Sequence, residues 1–164
     1  MSKSVQLVFY EDKYLDDIKK INLPSEQLKF TQTPEEALQT LSDSHRHLVL
    51  VFENQVCVGY FILHKNIGLE LGFKNPTLLI RSLAISPLVQ GKGVGFHAMS
   101  MLPKFVKTNY DKIDKLVLID KLVLIVNKKN IPAQKLYQKV GFIQCGSRDN
   151  EQHGVQFIYS YDLV

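Results

Sequence analysis

One join near the middle of the chain narrows the possible folds most. An apolar run, Thr77 to Ile85, is stopped by Ser86-Pro87 and followed by Gln90-Gly91-Lys92-Gly93-Val94-Gly95, then by an amphipathic stretch to about Thr108. By hydrophobic period this reads as strand, glycine turn, helix. Glycine tolerates positive φ and lets a ligand come close to the backbone. The start of the helix beyond offers unpaired N–H groups and a partial positive charge, so the join is also an anion site. An amide bonded to a charged phosphate contributes roughly 1.5–3 kcal/mol, so three or four would dominate the holding of a diphosphate. The helix dipole adds only about 0.3–1 kcal/mol. Backbone donors, not the Lys92 side chain, carry the expected affinity.

Both sides of this join alternate strand and helix signals. Val5 to Tyr10 alternate as a first strand, and Tyr14, Leu15, Ile18 and Ile21 recur at helical spacing until Pro24 ends the helix. Thr33-Pro34-Glu35-Glu36 starts a second helix, with Thr33 as cap, that runs to about Ser42. His47 to Phe52 and Val56 to Leu63 form a hairpin around Glu53-Asn54-Gln55, and Lys65 to Pro76 reads as a loop. After the join come a strand from Leu116 to Val126, a helix from Asn130 to Val140, a strand begun by Phe142 to Cys145, and a last alternating strand from Val155 to Leu163. The order is strand, two helices, three strands, helix, strand, helix, strand, strand. Such a chain folds as an α/β domain with a mixed sheet covered by helices on both faces. At 164 residues it is one domain, residues 1–164, able to bury roughly 70% of its unfolded surface.

Asp114-Lys115-Leu116-Val117-Leu118-Ile119 is repeated identically as Asp120-Lys121-Leu122-Val123-Leu124-Ile125. An even insertion keeps the strand's period of two, so the copy can lengthen the strand, bulge, or loop out before it. It is too short for a repeat architecture.

Composition excludes several classes. Hydrophobic residues make up 45% and charged residues 22%, which argues against disorder. No apolar run nears the ~18 residues of a bilayer span, and Met1-Ser2-Lys3-Ser4 lacks a signal-peptide core. Cys57 and Cys145 form no disulfide framework and no metal-ligand spacing, which suits a reduced cytoplasm. Both read as packing residues. His45 and His47 share a strand face without a third ligand, so no metal site is expected. The net charge of +4 is spread out, apart from a small group at Lys128, Lys129, Lys135 and Lys139. That suits a few phosphates on a small ligand and not a nucleic-acid duplex.

The glycine turn matches neither common nucleotide loop. Lys92 is followed by Gly93 where a Walker loop needs Ser or Thr, and Phe96 stands where a dinucleotide fingerprint needs Gly or Ala. Alone, the turn fits a structural connection equally well. A second motif lies about 40 residues on. Gln90-x-x-Gly93-x-Gly95 and Asn130-x-x-Ala133-x-x-Leu136-Tyr137-x-x-x-Gly141-Phe142 together closely resemble the GCN5-related N-acetyltransferase (GNAT) family. The likeness is densest from Ser82 to Phe142, and the element order agrees along nearly the whole chain.

That resemblance implies acetyl-coenzyme A as cosubstrate. It implies pyrophosphate ligation by the backbone of Gln90, Gly91, Lys92, Gly93, Val94 and Gly95, and pairing of the pantetheine arm with Leu83, Ala84 and Ile85. Asn130 either contacts the cofactor, as in family members, or caps its helix. Tyr137 matches the family tyrosine that protonates the leaving thiolate, although its place on an apolar helix face also fits a packing role. The acceptor would be the primary amine of a small molecule or peptide, attacking directly in a ternary complex. Such an amine has a pKa of ~10.4, so neutralising it at pH 7 costs roughly 4–5 kcal/mol unless a base or a dry pocket helps. The amide of Ile85 would stabilise the resulting oxyanion.

Many members place a glutamate on the strand before the loop, but Asn75 to Ser86 contains no acid and Arg81 stands there instead. Glu70, Glu26 and His64 are the remaining candidates for a base, beside a water relay. Acceptor walls are expected from about Leu23 to Thr33, Lys65 to Pro76 and Gly146 to Gly154, whose charges are mixed. The rival readings are a non-catalytic coenzyme A-binding sensor, an acyltransferase for longer acyl chains, and a nucleic-acid-binding domain. The family's final strands often pair between subunits, so a homodimer stays open.

Overall fold

The computed structural model describes residues 4–113 and 118–163. β1 (Val5–Phe9) pairs antiparallel with β2 (Arg46–Glu53), β2 with β3 (Val56–Lys65), and β3 with β4 (Thr77–Ile85). β4 runs parallel to β5 (Lys121–Asn127). β6 (Ile143–Asn150) forms the far edge, because β7 (Gly154–Asp162) inserts between it and β5. The result is the mixed sheet expected, with seven strands.

Helices cover both faces. α1 (Leu15–Lys19) and α3 (Pro34–Gln39) set Ile18 and Ala37 against Leu48, Leu50, Tyr60 and Ile62. A short helix, α2 (Ser25–Leu28), lies between them, within the segment expected to form an acceptor wall. α4 (Val94–Ile113) and α5 (Ile131–Val140) cover the other face, packing Ala98, Met99, Leu102 and Tyr137 on Val49, Val51, Phe61 and Leu78. Alternate residues of β2 thus serve opposite cores, so the strand reads as an unbroken apolar run. Fully burying one such aliphatic side chain is worth about 1.5–3 kcal/mol. Thr33 closes the capping box of α3: its hydroxyl accepts from the Glu36 amide at 3.1 Å, and the Glu36 carboxylate accepts from the Thr33 amide at 3.1 Å.

Three expectations are corrected. α4 continues past Thr108 to Ile113, across a non-helical Asn109 whose side-chain amide donates to the Phe105 carbonyl at 2.9 Å. The strand read from Leu116 begins at Lys121. Residues 114–117 of the first copy lie outside the described residues; Leu118 is exposed, Ile119 is buried, and neither is in a strand. The entry into β5 is fixed by the Asp120 amide, which donates to the Pro76 carbonyl at 2.9 Å. Cys145 is exposed on the edge strand and not packed, while Cys57 is buried and its thiol is pushed up to about 11 by desolvation.

Candidate active site

The site begins where β4 and β5 separate. Their parallel pairing covers Thr77 to Ile80 against Lys121 to Leu124 and then stops, while β4 continues to Ile85 along β3 and β5 continues to Asn127 along β7. Ser82 causes the divergence: it has φ +60, and the β3–β4 register shifts between Tyr60 and Ile62. This is a bulge, which bends the strand out of the ladder. Beyond it, the Ser86 amide donates to the Val58 carbonyl at 2.7 Å. Antiparallel alternation then turns the Ala84 backbone toward Tyr60 of β3 and the Ile85 backbone toward the gap. Of the residues expected to face the pantetheine arm, Ile85 and, two residues back, Leu83 open onto the gap, whereas Ala84 spends its backbone on the sheet.

The glycine turn follows directly. Gly91 and Gly93 have φ +78 and +83, and a Cβ at Gly91 would meet nothing within 4 Å, so the turn leaves open space above its backbone. The first bond of α4 runs from the His97 amide to the Gly93 carbonyl at 3.0 Å. The amides of Val94, Gly95 and Phe96 therefore precede the helical ladder and point out of its N-terminus. A diphosphate fits this donor set and this space. Gly95 also brings three elements together: a Cβ there would sit 3.5 Å from Leu136 of α5 and 3.8 Å from Ile85 of β4.

Side chains whose roles are not visible in the sequence, Gln90 beyond its backbone and Gln27, brace the gap. The Gln90 side-chain amide donates to the Ile85 carbonyl at 2.8 Å and to Gln27 Oε1 at 2.7 Å, and Gln27 of α2 donates to the same carbonyl at 3.2 Å. With its acceptor so occupied, Ile85 presents its donor to the gap. Deeper in, Ser82 Oγ donates to Gln32 Oε1 at 2.9 Å, and the Tyr60 hydroxyl donates to the Gln32 carbonyl at 2.6 Å.

The Acetyltransferase (GNAT) family model matches residues 15–142. The uncharacterized N-acetyltransferase YbbJ of Bacillus subtilis (strain 168) is 32% identical over 166 residues, covering 99% of this chain and 100% of that protein. The chain belongs to the GNAT acetyltransferase family. It is accordingly an enzyme of the acyltransferase class. The fold is shared with spermidine N-acetyltransferase from Vibrio cholerae in complex with CoA and spermine, at TM-score 0.70, 17% identity, and 97% and 95% coverage of the two chains. It is also shared with aminoglycoside acetyltransferase AAC(6')-Ib in complex with coenzyme A, at TM-score 0.73, 15% identity, and 97% and 95% coverage. A GNAT family acetyltransferase from Elizabethkingia anophelis with acetyl-CoA bound matches at TM-score 0.66, 16% identity, and 96% and 97% coverage.

Within this GNAT domain, Tyr137 lies on the inward face of α5, buried in the core cluster that also includes Val94 and packs Leu83 and Ile85. Its ring stands edge-on to Phe142 at 5.7 Å, and burial holds its phenol well above the ordinary range. Asn130 Oδ1 accepts from the Ala133 amide at 3.3 Å, which is the capping geometry weighed against a cofactor contact. At the other end of α5, Gly141 takes φ +119 and ends the helix. Lys139 lies over the Phe96 ring at 4.4 Å, while Lys128, Lys129 and Lys135 are exposed.

None of the acids considered as a base is enclosed. Glu26 is exposed and paired with Lys29 at 3.1 Å, and Glu70 is exposed on the 3-10 turn Gly68–Leu71. His64 is half-buried, with its Nδ1 3.0 Å from an Arg81 guanidinium nitrogen. Arginine only donates, so Nδ1 accepts and the neutral ring carries its proton on Nε2. Burial, Arg46 and Arg81 hold this imidazole below its ordinary range, and a ring whose lone pair is already engaged is a poor base. A groove of about 660 Å³ beside β1 and α4, lined by Tyr10, Arg46, His47 and Phe105 among others, contains none of the residues expected to bind the coenzyme or to act as acid or base. No group of ligands able to hold a metal, and no helix long and apolar enough to cross a membrane, occurs among the described residues.

Proposed function

We propose that this acyltransferase moves an acetyl group from acetyl-coenzyme A to a primary amine of a small molecule or peptide by direct attack in a ternary complex. The observation that carries the reading is the convergence of two donor sets on one gap. The Ile85 amide faces it from β4, and the amides of Val94, Gly95 and Phe96 face it from the start of α4. Acetyl-coenzyme A supplies the activated thioester when bound. Gly91 and Gly93 leave room for its diphosphate, and the amides that follow hold it. The Ile85 amide meets the thioester carbonyl as negative charge grows on its oxygen, with Gln27 and Gln90 locking that peptide in place.

Tyr137 donates to the departing sulfur. The apolar surroundings that raise its phenol raise a thiol as well, so donor and acceptor shift together. Neither Glu26 nor Glu70 is enclosed to take the amine's proton, which favours water reaching the gap as the route out. The test is a panel of amines scored by release of free thiol from acetyl-coenzyme A. Turnover of at least one amine, lost in Tyr137→Phe, is expected. Coenzyme binding without turnover of any amine would instead describe a sensor.

A further inference from the structure

The sheet face that carries α1 and α3 gathers cations that the catalytic reading leaves unused. Arg81 is the first β4 residue beyond the paired segment, at the root of the gap. It is half-buried, and its guanidinium donates to the neutral His64 imidazole at 3.0 Å. Arg46 from β2 and Arg148 from β6 lie close enough to repel it. Arg46 has a counter-ion in Asp43 at 3.4 Å, but no ion pair among the described residues involves Arg81 or Arg148. The Arg148 guanidinium donates only to the neutral Gln156 side chain, at 2.8 Å. Partly burying a guanidinium beside like charges, without an acid, is unfavourable in the free protein. An anion arriving between Arg81 and Arg148 reverses that balance, and a guanidinium fork binds carboxylate or phosphate through two parallel bonds.

We propose that the amine acceptor carries an anionic group, held by Arg81 and Arg148 at the root of the gap while its amine reaches the end of β4. This rests on the acetyltransferase reading above and names its substrate class. The spacing limits the acceptor further. Arg81 stands four strand positions before Ile85, which at about 3.3 Å per residue, shortened by the bulge, is roughly 10 Å. The Arg81 side chain leans toward His64, away from Ile85, so the anion lies no nearer than that. A free α-amino acid, whose amine and carboxylate share one carbon, is too short. A polyamine brings only positive charge to three arginines. The spermidine acetyltransferase that shares this fold is named for such a polycation, so the acceptor here differs in sign.

The experiment measures kcat/KM for 8-aminooctanoate, its aminoalkyl phosphonate counterpart, octylamine, glycine and spermidine, with acetyl-coenzyme A binding measured separately by calorimetry. One of the two long anionic amines is expected to exceed octylamine by about ten- to hundredfold, the range of a charged hydrogen-bonded pair. The faster of the two identifies the anion. Glycine and spermidine should be the poorest. Arg81→Gln and, at its exposed position, Arg148→Gln should each erase most of that preference while leaving octylamine turnover and coenzyme affinity in place. Equal rates for octylamine and its anionic partners, a preference for spermidine, or an anion preference that survives both substitutions overturns the inference. If acetyl-coenzyme A binds but no anionic amine reacts, the acceptor assignment fails and the coenzyme site stands. If acetyl-coenzyme A does not bind, the underlying reading falls first.

Discussion

Gly91 and Gly72 form a matched pair that isolates ligand binding from folding. Both hold positive φ, +78 and +86, and at both a new Cβ would meet nothing within 4 Å. Alanine at either position therefore carries the same strain without a clash, about 1–2 kcal/mol for a left-handed L-residue. For a chain of this length that is a fall in Tm of about 2–8 °C, the same for both variants. Their places differ. Gly72 ends the 3-10 turn Gly68–Leu71, whereas Gly91 begins the turn into α4. The methyl of Gly91→Ala projects into the space assigned to the diphosphate, and loss of one charged amide contact is worth roughly 1.5–3 kcal/mol. Calorimetric titration with acetyl-coenzyme A should show affinity reduced about 10- to 150-fold in Gly91→Ala and unchanged in Gly72→Ala. Equal affinities in the two variants would refute the assignment of the turn.

Three further outcomes follow from other parts of the site. Tyr137→Phe keeps the edge-on contact with Phe142, so Tm and coenzyme affinity should hold while kcat drops about 10²- to 10⁴-fold; an unchanged kcat would make the tyrosine a packing residue. A Cβ at Gly59 would lie 2.5 Å from the Ala84 carbonyl oxygen, so Gly59→Ala must push the end of β4 aside; a shift of about 1 Å should lower kcat/KM about 100-fold, and a fully active variant would contradict the role of Ile85. His64 is held low by burial, Arg46 and Arg81, and His47 by burial and Lys65. Folding favours their neutral rings, so the stability they add is complete above about pH 6.5 and is lost as pH falls through their lower folded values. Thermal denaturation from pH 7.5 to 5 should show Tm falling, with a shallower slope in His64→Gln; an unaltered slope would remove His64 from that balance.

Much of this architecture is readable from local pattern. The strand Thr77–Ile85, the Thr33 cap and the glycine turn each depend on residues close in sequence, and each forms where the pattern puts it. The hairpin turn works for the same reason, although Asn54 and Gln55 both take positive φ without a glycine. The duplicated hexapeptide marks the limit. Identical residues enter a strand in one copy, while the described end of the other does not, so propensity cannot decide between them; pairing with β4 and β7 does. The gap was likewise hidden, because it arises from a bulge at Ser82, a residue with no strong preference for positive φ. Gln27 and Gln90 are 63 positions apart, and their joint hold on Ile85 exists only once α2 has folded over the end of β4. Arg81 was visible as a departure from the family pattern, but its lack of an acid partner needed the third dimension.

Comparing acetyl-coenzyme A with S-acetylpantetheine, which keeps the thioester and lacks the diphosphate, tests the central claim most directly. If main-chain donors at the start of α4 supply most of the grip, calorimetry on the wild-type chain will show saturable binding of the coenzyme and affinity at least about a hundredfold weaker for the truncated thioester. Matching affinities, or no heat with either ligand, would contradict it.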